Sequence, residues 1–243
     1  ERCFVTRVSG LEISAIAPRS ARGGAAQWRT VFESQPCLPI GPSRGLAFAG
    51  KEGGGNLEVI DTHRVLLTIG DHQFDGWYKS PDLVSARDAH NGKTVLIDTR
   101  SGRWSIFTTG HRNSQGLVKD RHGRIWSTEH GPQGGDDLNL LQIGKDFGYP
   151  RHTLGTDYGS VIWPPGTTAR DDDGSVDPVF AWVPSIGISD LVSVDDSAFP
   201  RWRDDLLIAS LRGRSVWRVR VKDNRALYAE PIEIGERVRD IAA

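Results

Sequence analysis

Short runs in which apolar and polar residues alternate recur along the whole chain and predict β-strands. In such a run, one side of the strand faces a core and the other faces solvent or a neighbouring sheet. Turn-forming residues separate the runs, and no stretch keeps helical spacing long enough to predict a stable amphipathic helix. The predicted strands outside residues 110–140 are 3–8, 28–32, 44–48, 63–69, 93–98, 103–108, 179–183, 191–194, 205–210, 215–221 and 226–229.

Two β-hairpins are predicted within this pattern. Residues 118–127 begin with apolar side chains, continue through a polar turn at 120–123 and end in an alternating segment. The strands on either side of the turn at 99–102 form the second predicted hairpin. The pattern therefore predicts an all-β fold, although strand spacing alone does not distinguish a β-propeller from a β-sandwich.

Two long segments interrupt the strand pattern. Residues 71–91 are polar, aromatic and irregular, and residues 151–177 are rich in Gly, Pro, Asp and Thr. The second segment contains Trp163-Pro164-Pro165, which cannot lie inside a central strand. Loops of this length in a compact domain commonly carry function.

Composition and charge narrow the classes of function. The chain has 30 basic and 31 acidic residues, so no overall field favours nucleic acid or an anionic membrane surface. No apolar run approaches the ~20 residues that span a bilayer. A chain of 243 residues can bury one core, and residues 1–243 are predicted to form a single domain.

The two cysteines leave two alternatives open. Cys3 and Cys37 could form a disulfide in an oxidising compartment, or they could be buried free thiols. The chain begins at Glu1 and contains no methionine. We therefore expect either a processed chain or a fragment of a longer protein.

Residues 110–140 hold the densest group of candidate ligand-binding side chains. They place charged, amide and glycine residues at both ends of the predicted hairpin, where a sheet exposes its groups to a ligand. Arg112 offers a planar fork of donors that suits carboxylates or quinone oxygens. Asn113 and Gln115 add neutral donors and acceptors.

The same stretch contains groups suited to a hard cation. Gly131 allows close approach of the backbone and Pro132 lacks an N–H, so the carbonyls around this pair can face a metal ion. Asp136 and Asp137 could hold a second ion. The alternative is a polar turn followed by an acidic pair on the surface, since these residue types also favour turns.

Three irregular motifs resemble those of the soluble quinoprotein glucose dehydrogenase and aldose sugar dehydrogenase family, also called glucose/sorbosone dehydrogenases. They are GHRNSQG at 110–116, EHGPQGGDDLNL at 129–140 and DFGYP at 146–150, with a weaker likeness at 66–71, 207–212 and 237–242. The resemblance implies a six-bladed β-propeller that uses pyrroloquinoline quinone (PQQ) and calcium to oxidise an aldose at the anomeric carbon to the lactone.

The length of the chain is short for a complete propeller of that type. Blades in common repeat families take ~40–50 residues, and the long loops use part of the length, so we expect four to five blades. Strands at both ends of the propeller are expected to be missing. Open strand edges would then favour self-association.

The resemblance implies a quinone site. Arg237 and Arg239 match two arginines that clamp the carboxylates of the cofactor, and their alternation predicts that both lie on one face of a strand. A solvated strand face is the alternative for this pair. The complete set implied to contact the quinone is Arg112, Asn113, Gln115, His130, Arg212, Arg237 and Arg239.

The resemblance also implies calcium ligands. The carbonyls of Gly131 and Pro132 would bind the calcium that polarises the quinone. Asp136, Asp137 and the Phe147 carbonyl correspond to ligands of a structural calcium, and Asp157 is a further candidate in the following loop.

The catalytic base of the family has no counterpart at the expected place. In the family, a histidine just before a Gly-Arg-Leu strand takes the proton of the anomeric hydroxyl, whereas residues 39–46 contain no histidine. His72, in the loop at 71–91, is the candidate base, because the ordinary pKa of histidine suits this role.

Two functions follow from the sequence. The first is a periplasmic or secreted oxidoreductase that takes a sugar substrate and passes electrons to an external acceptor. The second is a propeller that binds carbohydrate or protein and has lost catalysis.

Overall fold

The computed structural model describes residues 3–11, 27–40, 42–43, 46–47, 50–156, 158, 174–195 and 199–242. Within these ranges nearly every element is a β-strand, as the alternating pattern predicts, and the exception is a short 3₁₀ turn at Trp77–Lys79. No helix in this part of the chain is long and apolar enough to cross a membrane. The predicted strand at 44–48 lies largely outside the described residues.

The first six strands pair in twos. The pairs are β1 (Cys3–Phe4) with β4 (Leu38–Pro39), β2 (Arg7–Gly10) with β3 (Arg29–Glu33), and β5 (Pro42–Ser43) with β6 (Leu46–Ala47). All three pairs are antiparallel.

Three four-stranded antiparallel sheets follow, and in each the strands lie in chain order. The first contains β7 (Gly54–Val59), β8 (Arg64–Ile69), β9 (Lys93–Asp98) and β10 (Trp104–Thr108). The second contains β11 (Ser114–Lys119), β12 (Ile125–Glu129), β13 (Asp136–Leu141) and β14 (Phe180–Trp182). The third contains β15 (Ile188–Ser193), β16 (Leu206–Ser210), β17 (Ser215–Lys222) and β18 (Arg225–Glu233).

The first strands of these sheets lie side by side around a common axis. Strand β11 packs against both β7 and β15. Side chains join the sheets near the starts of these strands, because Thr68 Oγ1 donates to the Ser114 carbonyl (3.1 Å) and Thr128 Oγ1 donates to the Ser189 carbonyl (2.5 Å). Radially arranged four-stranded sheets are the blades of a β-propeller, and the described residues form three such blades with paired N-terminal strands, which is an incomplete propeller.

The core lies between neighbouring blades. Burying a large apolar side chain contributes about 1.5–3 kcal/mol, so these clusters hold the blades together. The cluster between the second and third blades includes Trp126, Leu138, Ile188, Leu191, Leu206, Ile208 and Val219. Leu66, Leu117, Ile125, Leu141 and Phe147 join the first blade to the second, and Val31, Phe32, Leu67, Ile69, Val95 and Ile97 join β3 to the first.

Both predicted hairpins are confirmed, but the pattern missed several strands, among them β7 and β13. Strand β7 begins inside the glycine run at 53–55, a residue type that favours turns, and β13 begins at the acidic pair that we interpreted as a candidate ion site. The strand predicted around Arg237 and Arg239 is wrong, since the segment 237–242 forms no strand. Hydrogen bonds hold it instead against the third blade, from Val238 N to the Ser210 carbonyl (3.1 Å) and from Ser189 Oγ to the Val238 carbonyl (2.9 Å).

Cys3 and Cys37 form a disulfide, with their Cα atoms 5.5 Å apart. The bond links β1 to the residue before β4, which are paired strands. Of the two alternatives for the cysteines, the disulfide is therefore the one that the structure adopts.

Replacing both cysteines by serine is expected to lower the free energy of unfolding by about 2–4 kcal/mol, because the disulfide removes freedom from the unfolded chain. The bonded residues are 34 positions apart. Urea unfolding of the wild type and of the double variant measures the difference, and the wild type in reductant should match the variant. Equal midpoints for the oxidised wild type and the variant would contradict the prediction.

Candidate functional site

Arg112, Asn113 and Gln115, three of the polar residues predicted from the sequence, lie at the end of the propeller axis where β7, β11 and β15 begin. Asn113 Oδ1 accepts hydrogen bonds from Gly54 N (3.1 Å) and Gln115 Nε2 (2.9 Å). Asn56 Nδ2 donates to the Gln115 carbonyl (3.0 Å) and to Asp190 Oδ1 (3.3 Å). We call this end of the axis, with the loops at 50–53, 71–73, 110–113 and 130–135 and the segment 237–242, the axial site.

Arg112 is the buried cation of the axial site, with 3% of its surface exposed. Its Nη1 donates to the carbonyls of His130 (3.2 Å) and Gly131 (3.1 Å), and its Nη2 donates to Glu52 Oε1. Burial alone would lower the pKa of Arg112, but Glu52, Tyr149, Asp71 and Tyr158 together outweigh it and raise the pKa above its usual range. The guanidinium is therefore charged and held in one orientation.

Glu52 and Asp71 form a carboxyl pair beside Arg112 that our sequence reasoning missed. Asp71 is fully buried, and its carboxyl lies within hydrogen-bonding reach of the Glu52 carboxyl. Burial, together with the charge of Glu52, raises the pKa of Asp71 well above its ordinary value, although Arg112 opposes the shift. Of the two carboxyls, Asp71 is therefore the one whose proton is held more tightly than in an ordinary aspartic acid. The available signal was that each acid directly adjoins glycine, at Gly53 and Gly70.

Glu129 is a scaffold for the loop that carries Arg112. Its Oε1 accepts from the backbone N–H of Arg112, and its Oε2 accepts from His111 Nδ1 (2.8 Å) and Ser114 Oγ (3.1 Å). The His111 ring stacks on Phe147 at 4.9 Å between centroids. Glu129 and His111 thus have structural roles, because together they fix the start of β11.

Asp136 joins the second blade to the third. It is fully buried, and its Oδ1 accepts from Gly131 N (3.2 Å) while its Oδ2 accepts from Ile188 N (3.0 Å). Both carboxylate oxygens thus bond to backbone, and a calcium-binding role for Asp136 stays a prediction. His130 lies beside it, with Nδ1 3.9 Å from Asp136 Oδ1, and burial lowers the pKa of His130.

Three of the residues predicted to bind metal line one small cavity. Gly131, Asp137 and Phe147 surround about 20 Å³ together with Asn139 and other residues of the loops. This volume suits one water molecule or ion, and the Asp137 carboxylate and Asn139 amide oxygen are hard donors of the kind that calcium prefers.

The other residues predicted to bind metal do not add donors to this cavity. Pro132 is buried but does not line this cavity, and Asp157 lies outside the described residues. Across the described ranges, no three His, Cys, Asp or Glu side chains are grouped to hold a metal ion. A calcium site here would therefore depend on the Asp137 carboxylate together with backbone and amide oxygens.

Three exposed arginines stand near the axial site. In the described part of the chain, no carboxylate pairs with the guanidinium of Arg212, Arg237 or Arg239. The positive charge of Arg239 is close enough to lower the pKa of His130, an effect smaller than that of burial. Arg212 donates its backbone N–H to the Ile186 carbonyl (2.9 Å), just before β15. Unpaired guanidinium groups in this position fit an anionic ligand.

His72, the candidate base from the sequence, lies behind the surface of the axial site. It is 2% exposed, its Nδ1 is 3.2 Å from the Lys51 carbonyl and its ring packs edge-on against Phe4. Burial lowers its pKa. A catalytic role for His72 stays a prediction.

The segment 237–242 is tethered by a second carboxyl pair. Asp190 Oδ2 accepts from Ile241 N (3.3 Å), and the Asp190 carboxyl is hydrogen-bonded to that of Asp240. Burial, followed by this hydrogen bond, raises the pKa of Asp190 to about 6. Because the folded pKa lies above the unfolded value of 3.8, the stabilisation is complete at acid pH and is lost as the pH rises through about 6.

We therefore expect the amides of residues 237–242 to exchange hydrogen more slowly at pH 5 than at pH 7.5, after correction for intrinsic rates. Mass spectrometry of the exchanged peptides measures the difference. Asp240→Asn supplies an amide donor at every pH, so its protection should not change over this range. Equal corrected protection of the wild type at both values would contradict the role of the pair.

Most of this chain is similar in sequence to known proteins. The sequence model of the Glucose / Sorbosone dehydrogenase family matches residues 47–243. Aldose sugar dehydrogenase YliI of Escherichia coli is 32% identical over 224 residues, which cover 88% of this chain and 58% of that protein. Quinoprotein glucose dehydrogenase B of Acinetobacter calcoaceticus is 42% identical over 45 residues, which cover 18% of this chain and 9% of that protein.

A solved structure shares the fold. A crystal structure of a glucose dehydrogenase superimposes with a TM-score of 0.75 at 28% identity, covering 92% of this chain and 64% of the other. The chain spans little more than half the length of the curated relatives that match most of it.

Proposed function

We propose that this chain, which belongs to the glucose/sorbosone dehydrogenase family, is part of a quinone-dependent sugar dehydrogenase. The reaction is the oxidation of an aldose at the anomeric carbon to the lactone, with PQQ and calcium as cofactors and an external electron acceptor. The observation that carries the proposal is the buried, charged Arg112 at one end of the axis, with exposed Arg239 close enough to act on the same neighbour, His130.

The charge and donor set of the axial site supports a tricarboxylate quinone. Arg212, Arg237 and Arg239 would bind its carboxylates, since arginine can bind a carboxylate with two hydrogen bonds. Asn113, Gln115 and His130 would contact the ring system. When bound, the quinone supplies a two-electron acceptor for the hydride on the anomeric carbon, and calcium polarises it as a Lewis acid.

Arg112 supports the chemistry through its fixed charge. Glu52, Glu129 and two backbone carbonyls hold it, so it does not have to reorient when negative charge develops nearby. Preorganised charge of this kind lowers the barrier to reaction. A single propeller domain, self-association through open strand edges and a periplasmic or secreted location belong to the same proposal, and the disulfide supports an oxidising compartment.

A steady-state assay tests this function. The purified protein is loaded with PQQ and calcium and mixed with an electron-accepting dye and a panel of aldoses, and quinone binding is followed separately by fluorescence quenching. We expect dye reduction that requires the quinone, calcium and an aldose. Quinone binding without dye reduction for any sugar would favour the non-catalytic propeller, and a failure to bind quinone would overturn the proposal.

A further inference from the structure

The backbone at Glu52 is built to hold one side chain in a fixed place. Glu52 has a left-handed backbone (φ 56°), which is unusual for a residue other than glycine. Hydrogen bonds from Gly70 N to the Gly53 carbonyl (3.0 Å) and from His72 N to the Glu52 carbonyl (3.2 Å) secure it. A Cβ on Gly70 would lie 1.8 Å from the Glu52 carbonyl oxygen, so only glycine fits there. Such conformations are maintained mainly at functional sites.

The Glu52 side chain bridges two different partners. One oxygen, Oε1, accepts from Arg112, while Glu52 Oε2 and Asp71 Oδ2 meet no N–H or O–H donor within the described ranges. The two carboxyls lie within hydrogen-bonding reach of each other. A single proton held between them satisfies both oxygens, and Arg112 balances the remaining negative charge.

Glu52 has the most exposed side chain of this group, although its Oε2 is itself buried. Its side chain is 11% exposed, whereas that of Arg112 is 3% exposed and Asp71 is fully buried. An ionised carboxylate has several lone-pair positions, and two hydrogen bonds leave others for a hydroxyl donor. A pair of carboxyls with one proton can accept a second, as in other catalytic carboxyl pairs.

We infer that Glu52 is the general base of the proposed oxidation and that Asp71 is a positioning residue that shares a proton with it. This inference rests on the proposed function and supplies the base that the sequence lacks as a histidine. The O–H bond of the anomeric hydroxyl breaks and its proton passes to Glu52. The oxygen–carbon bond becomes a carbonyl as the two electrons leave with the carbon-bound hydrogen for the quinone.

Glu52 suits this role better than His72. The His72 ring is 2% exposed and lies against Phe4, and its backbone N–H supports the Glu52 carbonyl. Its geometry positions Glu52 and does not bring the imidazole to a substrate.

The test compares Glu52→Gln with His72→Asn. Glutamine keeps an oxygen to accept from Arg112 but cannot act as a base. We expect Glu52→Gln to lower kcat by about 10²–10⁴-fold and to remove the acid limb of the kcat–pH profile, with the dissociation constant for quinone unchanged. His72→Asn should keep the acid limb. Glu33→Gln is the matched control, because it removes a carboxylate from the exposed Arg7–Glu33 pair.

An infrared measurement without cofactor tests the pair itself. The wild type at neutral pH should show a deuterium-sensitive carbonyl band from a protonated carboxyl. Asp71→Asn should lose this band and Glu52→Gln should shift it, while Glu33→Gln keeps it unchanged. If the wild type is active and Glu52→Gln keeps the same rate and pH profile, the role of Glu52 as the base is overturned but the proposed function is not. A wild type that binds quinone but oxidises no sugar would overturn the proposed function and the base with it, while the infrared band still reports the pair.

Discussion

Arg112→Ala is expected to lower the free energy of unfolding by about 3–5 kcal/mol, because it removes one partner of a buried ion pair. Glu52 would lose its counter-charge beside a second carboxyl, and the carbonyls of His130 and Gly131 would lose their donor. The loop at 130–135 and the loop at 50–53 both depend on this one guanidinium. Quinone binding should therefore fall below detection.

Denaturant unfolding without cofactor, followed by a quinone titration at a temperature where the variant is folded, measures both effects. Arg112→Lys keeps the charge but lacks the planar fork, so it should recover part of the stability and less of the binding. If Arg112→Ala unfolds at the wild-type midpoint, the hydrogen bonds described for this residue do not hold the site together.

Asp136→Asn is the second change with a large expected effect. The carboxylate accepts from two buried backbone N–H groups on different blades, and an asparagine can accept at only one of these places. A buried donor left without an acceptor costs about 1–3 kcal/mol, and more where a charged acceptor is lost. We therefore expect a stability loss of this size that persists in excess chelator.

Asp137→Asn is the matched control for metal binding. It lies next to Asp136 in β13, but it lines the small cavity with Gly131 and Phe147. Calorimetry should show that Asp137→Asn binds calcium more weakly than the wild type. In chelator, Asp137→Asn should lose less stability than Asp136→Asn does. If chelator instead makes Asp136→Asn as stable as the wild type, then Asp136 acts mainly as a calcium ligand and not as a link between blades.

The elements that local sequence predicts well are the hairpins. The strands that flank the turns at 99–102 and 120–123 carry their own alternation and their own turn residues, so each can be identified without knowing the rest of the fold. Strand β7 was missed because it starts inside a glycine run. Strand β13 was missed because its two aspartates favour turns until Asp136 is seen to accept hydrogen bonds from neighbouring backbone.

The features that the sequence did not predict have a common physical cause. Each depends on a contact with residues that are remote in sequence. Residues 237–242 alternate as a strand does, but a strand also needs a neighbour with free hydrogen-bonding groups. The Arg112–Glu52 pair spans 60 positions and exists because two blades meet at the axis. Residue type alone suggested His72 as the base, whereas the proposal of Glu52 depends on its remote contacts with Arg112 and Asp71.

The most direct test of the account is a crystal structure of the protein with PQQ and calcium bound. We predict that the quinone lies in the axial site, with its carboxylates on Arg237 and Arg239, its ring beside His130, and Glu52 facing the open side where a sugar would bind. Electron density for the quinone on another face of the propeller, or a refined complex in which these arginines make no contact with it, would contradict the account.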